Sequence, residues 1–135
     1  MRSVRFEFRG KEYCLLYNAI AMFEAEEKHG SQLEFFDKLK NSDSTSLDLA
    51  CSLAEIMSRQ GAAVRKLYGQ PESEIFVAAY KPLISRLTMI HLTNALMQTI
   101  NSGLQQEVSS EDEEIDLGLL ELQKKTESSP AQPNT

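Results

Sequence analysis

Two histidines, two cysteines and two runs of carboxylates are the residues of this chain best suited to chemistry. His29, His91, Cys14 and Cys51 are the right types to hold zinc. No two of them have the short spacing that puts ligands on one metal, so none is assigned as a ligand. With no secretion signal in view, the expectation for both cysteines is a buried, reduced thiol. His29 falls at the end of a helical pattern, where the helix dipole favours a cation, and reads as structural or solvated. His91 lies between two apolar stripes and reads as a hydrogen-bonded interior or boundary residue. Glu24, Glu26 and Glu27 read as a solvated helix face. Glu111-Asp112-Glu113-Glu114 lacks the turn glycine and spaced oxygens of a calcium loop and reads as solvating charge. There is no glycine-rich phosphate loop, no Gly-x-Ser-x-Gly and no His-Glu-x-x-His. The expectation is a protein without catalytic residues, metal or cofactor.

The charge distribution points to binding instead. The chain has 135 residues and a formal charge of −6. Leu104–Thr135 holds eight carboxylates against two lysines, so the whole net charge lies there, while residues 1–103 are neutral. Inside this acidic tail stand Ile115, Leu117, Leu119, Leu120 and Leu122. Ile115, Leu119 and Leu122 share one helical face. A core completed upstream does not need them, and Gly118 lowers their free helicity. They are the candidate partner-binding strip, ordering on a partner. The alternative is that they pack back on the body as a last helix.

The elements that carry these residues are legible by period. Val4, Phe6 and Phe8 alternate with Arg5, Glu7 and Arg9, Gly10-Lys11 turns, and Glu12–Tyr17 returns, which predicts a β-hairpin. Such a hairpin is marginal alone, so the Val4/Phe6/Phe8 face must be covered. Asn18 and Gly30 bracket a helix over Ala19–His29, with Ala19, Ile20, Met22 and Phe23 as its apolar set. Ser31 caps a short helix through Gln32–Lys40, with Leu33, Phe36 and Leu39 spaced by three. Thr45-Ser46-Leu47-Asp48 resembles a capping box and opens a long helix to about Tyr68. Leu49, Leu53, Ile56, Met57, Gln60, Val64 and Leu67 follow its period, and Gly61 weakens its middle. Residues 73–80 are expected as another short helix. Pro82 is expected in the first turn of a last long helix that Gly103 closes. Leu83, Leu87, Ile90 and Met97 line one stripe of it, widened by Ile84, Leu92, Leu96 and Ile100. The fold class is α+β and mainly helical. A hairpin and a small helical bundle occupy residues 1–103, and residues 104–135 form an acidic flexible tail carrying the 115–122 strip. Ser128–Thr135 is expected to be disordered.

An acidic balance argues against a phosphate-tracking nucleic-acid partner. Apolar runs of only a few residues leave no span for a bilayer. Met1–Glu7 has no signal-like apolar run, so a cytoplasmic site is expected. A helix-turn-helix around Gly61 is a weak alternative. Met57 stands where a small residue normally lets the two helices meet, and the second helix offers only Arg65 and Lys66.

At both ends the residues match a family pattern. Phe6-Glu7-Phe8-Arg9-Gly10-Lys11-Glu12-Tyr13, then Tyr17-Asn18 and Ala21-Met22-Phe23-Glu24, resemble the tail assembly chaperones of long-tailed, siphovirus-type bacteriophages and prophages of Gram-positive bacteria. The run from Glu114 to Lys125 is similar to the C-terminal signature of that group. The middle, Ser31–Gly103, matches only in length and helical character. The resemblance implies a mainly helical, self-associating, non-enzymatic protein. It would coat and solubilise the tape-measure protein and help recruit the tail-tube protein in the host cytoplasm, and it would be absent from the mature virion. It also implies a longer product made by a ribosomal frameshift. Gln123-Lys124-Lys125, which adenine-rich codons can encode, is the expected place for the slip. The other functions to weigh are a minor structural head–tail or tail virion protein and a small DNA-binding regulator.

Overall fold

The computed structural model describes residues 3–123, with side chains described for residues 3–105. By contacts the chain divides into two units, Met1–Gly103 and Leu104–Thr135.

Strands β1 (Val4–Phe8) and β2 (Lys11–Leu15) pair antiparallel, in register from Val4 opposite Leu15 to Phe8 opposite Lys11. The turn is Arg9-Gly10, one residue before the expected Gly10-Lys11, because Lys11 already pairs with Phe8; both linking residues have positive φ, 53° and 79°. That is the signature of a tight I′ turn, whose twist matches the strands it joins. Phe6 and Phe8 point inward, as alternation predicts. Their cover comes from the same chain. Phe76 and Tyr80 close over the hairpin, with ring centroids 5.7 Å apart for Phe8–Phe76, 5.7 Å for Tyr13–Phe76 and 5.4 Å for Phe76–Tyr80.

Helix α1 (Ala19–His29) starts where the Asn18 side chain accepts the Ala21 amide at 2.9 Å, and ends at Gly30, φ 90°. Helix α2 (Gln32–Leu39) opens with a full capping box, Ser31 and Glu34 each accepting the other's backbone amide. Helix α3 (Ser44–Leu67) has its cap two residues earlier than expected. Asp43 and Ser46 make the box, not Thr45 and Asp48, because the Asp43 carboxylate accepts the Ser46 amide at 2.9 Å while Ser46 Oγ accepts the Asp43 amide at 2.7 Å.

α3 is the central helix. Leu49, Leu53, Ile56 and Met57 are buried, and so are Ala50, Ala54 and Ser58 on its other sides. A helix enclosed on several faces is one that other elements pack around, here β2, α1 and α2. Leu16 donates its amide to the Met57 carbonyl at 3.1 Å. The chain crosses this close because residue 61 is glycine. A Cβ there would lie 1.8 Å from the Cys14 carbonyl oxygen. Gly61 is therefore a contact point rather than a weak spot, and α3 runs through it unbroken. That removes the helix-turn-helix alternative.

Three expectations fail between residues 70 and 103. Residues 73–77 are extended rather than helical, since their amides find partners outside the segment. Glu74 donates to the Glu12 carbonyl (3.3 Å) and Phe76 to Ser58 Oγ (2.7 Å), and beyond them Ala78 donates to Glu55 Oε1 (2.9 Å). Pro82 lies in a 3-10 helix, Ala78–Leu83, and not at the start of α4. Helix α4 (Arg86–Gln123) is capped instead by Ser85, whose hydroxyl accepts the Thr88 amide at 3.1 Å. Gly103 does not end it. That glycine lies inside α4 against Tyr17, where a Cβ would meet the Tyr17 carbonyl oxygen at 2.6 Å. Lys124–Thr135, and with it the expected disorder of Ser128–Thr135, lies outside the described residues.

Candidate functional site

The groups most suited to catalysis are each tied into structure. Cys14 and Cys51 are buried free thiols, as expected. Burial pushes the Cys51 thiol up to about 11, with the Lys81 ammonium pulling it back and Asp48 adding to the rise. The His29 ring lies 2.7 Å from Ser52 Oγ, between Nε2 and the hydroxyl. Burial, then the nearby Lys28 and Lys38 charges, hold its pKa below the ordinary histidine value. His91 is exposed on α4, not interior, because the helix turns Leu92, Leu96 and Ile100 inward in its place.

Glu24 is more than a solvated face residue. The Arg59 guanidinium sits 3.1 Å from its carboxylate and also reaches Glu55 at 3.3 Å, while Lys28 approaches Glu24 at 3.3 Å. Burial works against the Glu24 charge, but these cations outweigh it and hold its carboxyl below the usual range. The network pins α1 to α3, and through the amide of Ala78 on Glu55 it pins the start of the 3-10 helix as well. Among the described residues no cluster of three or more His, Cys, Asp or Glu can hold a metal.

Two clefts flank the extended segment. One, of about 260 Å³, lies beside Arg5, Lys11, Arg65 and Ser73. The other, of about 640 Å³, lies beside Arg59, Ala62, Lys66 and Ile75. The charges of the smaller cleft are largely taken up within the chain. Arg5 pairs with Glu12 at 3.2 Å, Lys11 with Glu74 at 3.9 Å, and Arg65 Nε donates to the Pro71 carbonyl at 2.8 Å. Ser73 lines both clefts, and its buried hydroxyl has no hydrogen-bond partner among the described residues.

The outstanding surface feature is apolar. On α1, Ile20 and Phe23 are one turn apart and 60% and 69% exposed, and Leu33 on α2 is 82% exposed. These were expected to face the core. The residues that do so are Ala21 and Ala25 on α1, with Phe35 and Leu39 on α2. Small side chains let α1 lie close to α3, and the large ones turn outward. A second exposed set, Leu83, Leu87 and Ile90, was expected to line the core stripe of the last helix. Leu92, Leu96 and Ile100, expected only to widen that stripe, are the core. The inward residues have helical spacing of their own, which by residue type alone does not outrank the larger side chains beside them. Ala21 and Ala25 are spaced four apart, and Leu92, Leu96, Thr99 and Ile100 form a period of their own.

The tail strip of Ile115, Leu117, Leu119, Leu120 and Leu122 falls within the α4 backbone. Its side chains, like those of Glu111-Asp112-Glu113-Glu114, lie outside the described residues. No helix among the described residues is long and apolar enough to cross a membrane. Comparison with protein-family models, curated proteins and solved structures gives no match.

Proposed function

We propose that this chain is a non-enzymatic binding protein, a tail assembly chaperone of a long-tailed bacteriophage. In this reading it holds the apolar face of the tape-measure protein and helps bring in tail-tube subunits. It works in the host cytoplasm and is left out of the mature virion. The observation that carries the reading is the pair of large apolar side chains, Ile20 and Phe23, left in solvent on α1 while alanines fill the core position behind them. Their burial against a client would release about 25 cal/mol per Å² of apolar surface removed from water. A long amphipathic helix is the client such a surface suits, docking through side chains at helical spacing. The acidic residues of 104–135 would keep the loaded complex in solution. The similarity of both chain ends to that chaperone group supplies the identity of the client.

The test is co-purification with the tape-measure protein. Ile20→Ser with Phe23→Ser should leave the fold intact, since both side chains are exposed, and should reduce capture. Leu119→Asp with Leu122→Asp should do the same if the tail strip shares the load. Undiminished capture by both folded double variants refutes client holding by these surfaces. Mass spectrometry of purified particles separates this reading from a structural virion protein, which would be present in them.

A further inference from the structure

We propose that the outer edge of β1 is a docking surface for a second copy of this chain, with the two β1 strands antiparallel and centred on Phe6. This rests on the hairpin alone and does not depend on the client.

β2 is enclosed on both sides. β1 pairs with it along one edge, and Glu74 bridges to Tyr13 along the other. Among the described residues β1 has β2 as its one strand neighbour, and Arg5 and Glu7 on it are exposed, so its far edge is open there. The two-residue turn makes Phe8 and Lys11 a hydrogen-bonded pair, and the alternation continues to Phe6–Tyr13 and Val4–Leu15. The backbone groups of Arg5 and Glu7 therefore point away from β2, to the open edge. The strand has no proline, no bulge and no lysine, and its two charges, Arg5 and Glu7, are of opposite sign.

The side chains select both the occupant and the register. Directly opposite Glu7 on β2 stands Glu12, a like-charge pair that destabilises a sheet. Glu12 is relieved by Arg5 at 3.2 Å, but among the described residues no cation pairs with Glu7. Antiparallel self-pairing centred on Phe6 puts Arg5 opposite the partner's Glu7, and Glu7 opposite the partner's Arg5. In each of these pairs both residues have their amide and carbonyl at the shared edge, so each pair exchanges both N–H···O bonds. Centring on Glu7 instead would set Glu7 against Glu7 and Arg5 against Arg9. Centring on Arg5 would set Arg5 against Arg5. Centring on Phe8 would set Glu7 against Arg9, but Arg9 is a turn residue outside β1 with φ 53°. Of the registers that match the backbone groups within Val4–Phe8, the Phe6-centred one joins opposite charges, and it keeps Phe6 and Phe8 of both copies on one face of the widened sheet. The existing Arg5–Glu12 pair is exposed on both sides and is no obstacle, since such pairs contribute little.

The experiment is sedimentation equilibrium from about 1 µM to about 1 mM, on wild type, Glu7→Arg, and the swap Arg5→Glu with Glu7→Arg. Wild type should dimerise. Glu7→Arg should weaken the dimer about tenfold or more, because symmetry repeats the lost pair. The swap should restore it to within about threefold of wild type. Oxidative cross-linking checks the register separately. A mixture of Arg5→Cys and Glu7→Cys should form the mixed disulfide, and neither variant alone should cross-link comparably. A monomeric wild type overturns the proposal and leaves the edge to a foreign strand. A Glu7→Arg dimer of undiminished affinity overturns it too, as does a swap that folds with a wild-type melting curve but stays monomeric.

Discussion

A Cβ on residue 61 would stand 1.8 Å from the carbonyl oxygen of Cys14, so Gly61 and Cys14 mark the point where α3 and β2 touch backbone to backbone. Gly61→Ala should therefore destabilise the protein. Helix propensity alone would favour alanine by about 1 kcal/mol. The neighbour, however, is strand backbone that cannot turn aside, and the net effect should be a loss of about 2 kcal/mol or more. Urea unfolding checks the sign. A stabilised variant would refute the contact.

Ser58 joins α3 to the extended segment. Its buried hydroxyl accepts the Phe76 amide at 2.7 Å and donates to the Glu55 carbonyl at 3.3 Å. Ser58→Ala leaves that amide without its partner and should destabilise by about 1–3 kcal/mol. Amide exchange at Phe76 should rise more than at residues of α1. Equal protection at Phe76 in wild type and variant would contradict the bond.

Stability should fall with acid in two windows. His29 has a lowered pKa in the fold, so its neutral form is favoured there. Its contribution is full above the unfolded value of 6.5 and is lost as pH drops from there through the folded value. Glu24 also has a lowered pKa, with the charged form favoured by Arg59 and Lys28. Its contribution is full above 4.5 and is lost as pH falls through its folded value. His29→Asn should flatten the upper window and Arg59→Met the lower one, in melting temperatures measured from about pH 8 to about pH 3.

Cys51 should be nearly inert in the folded protein. It is 2% exposed and its thiol is pushed up to about 11, so little thiolate forms near neutral pH. Iodoacetamide at about pH 8 should label it only as fast as the protein opens, and urea should release the reaction. Rapid labelling of Cys51 without denaturant would count against the burial.

Local chemistry was the legible part. Asn18, Ser31 and Gly30 declare the ends of α1 and α2 because a cap reaches only three residues along the chain, and Gly10 declares the hairpin for the same reason, although the turn is Arg9-Gly10 rather than Gly10-Lys11. The α3 cap was misplaced by two residues, since Asp43 and Thr45 are both capping types and only the bond from the Ser46 amide decides between them. The candidate surface was less legible. Ile20 and Phe23 look like core by type, and nothing local says that α1 lies against α3 through Ala21 and Ala25.

From the sequence alone come the α+β class, the order of hairpin and helices, the neutral body and the acidic last quarter, because each depends on residue type and near-neighbour spacing. Tertiary structure alone decided which faces of α1 and α4 are inside, why Gly61 and Gly103 are glycines, and that Phe76 rather than a new helix closes the hairpin. Those outcomes depend on how closely distant segments approach, and an approach distance is a property of the assembled chain, not of any stretch within it.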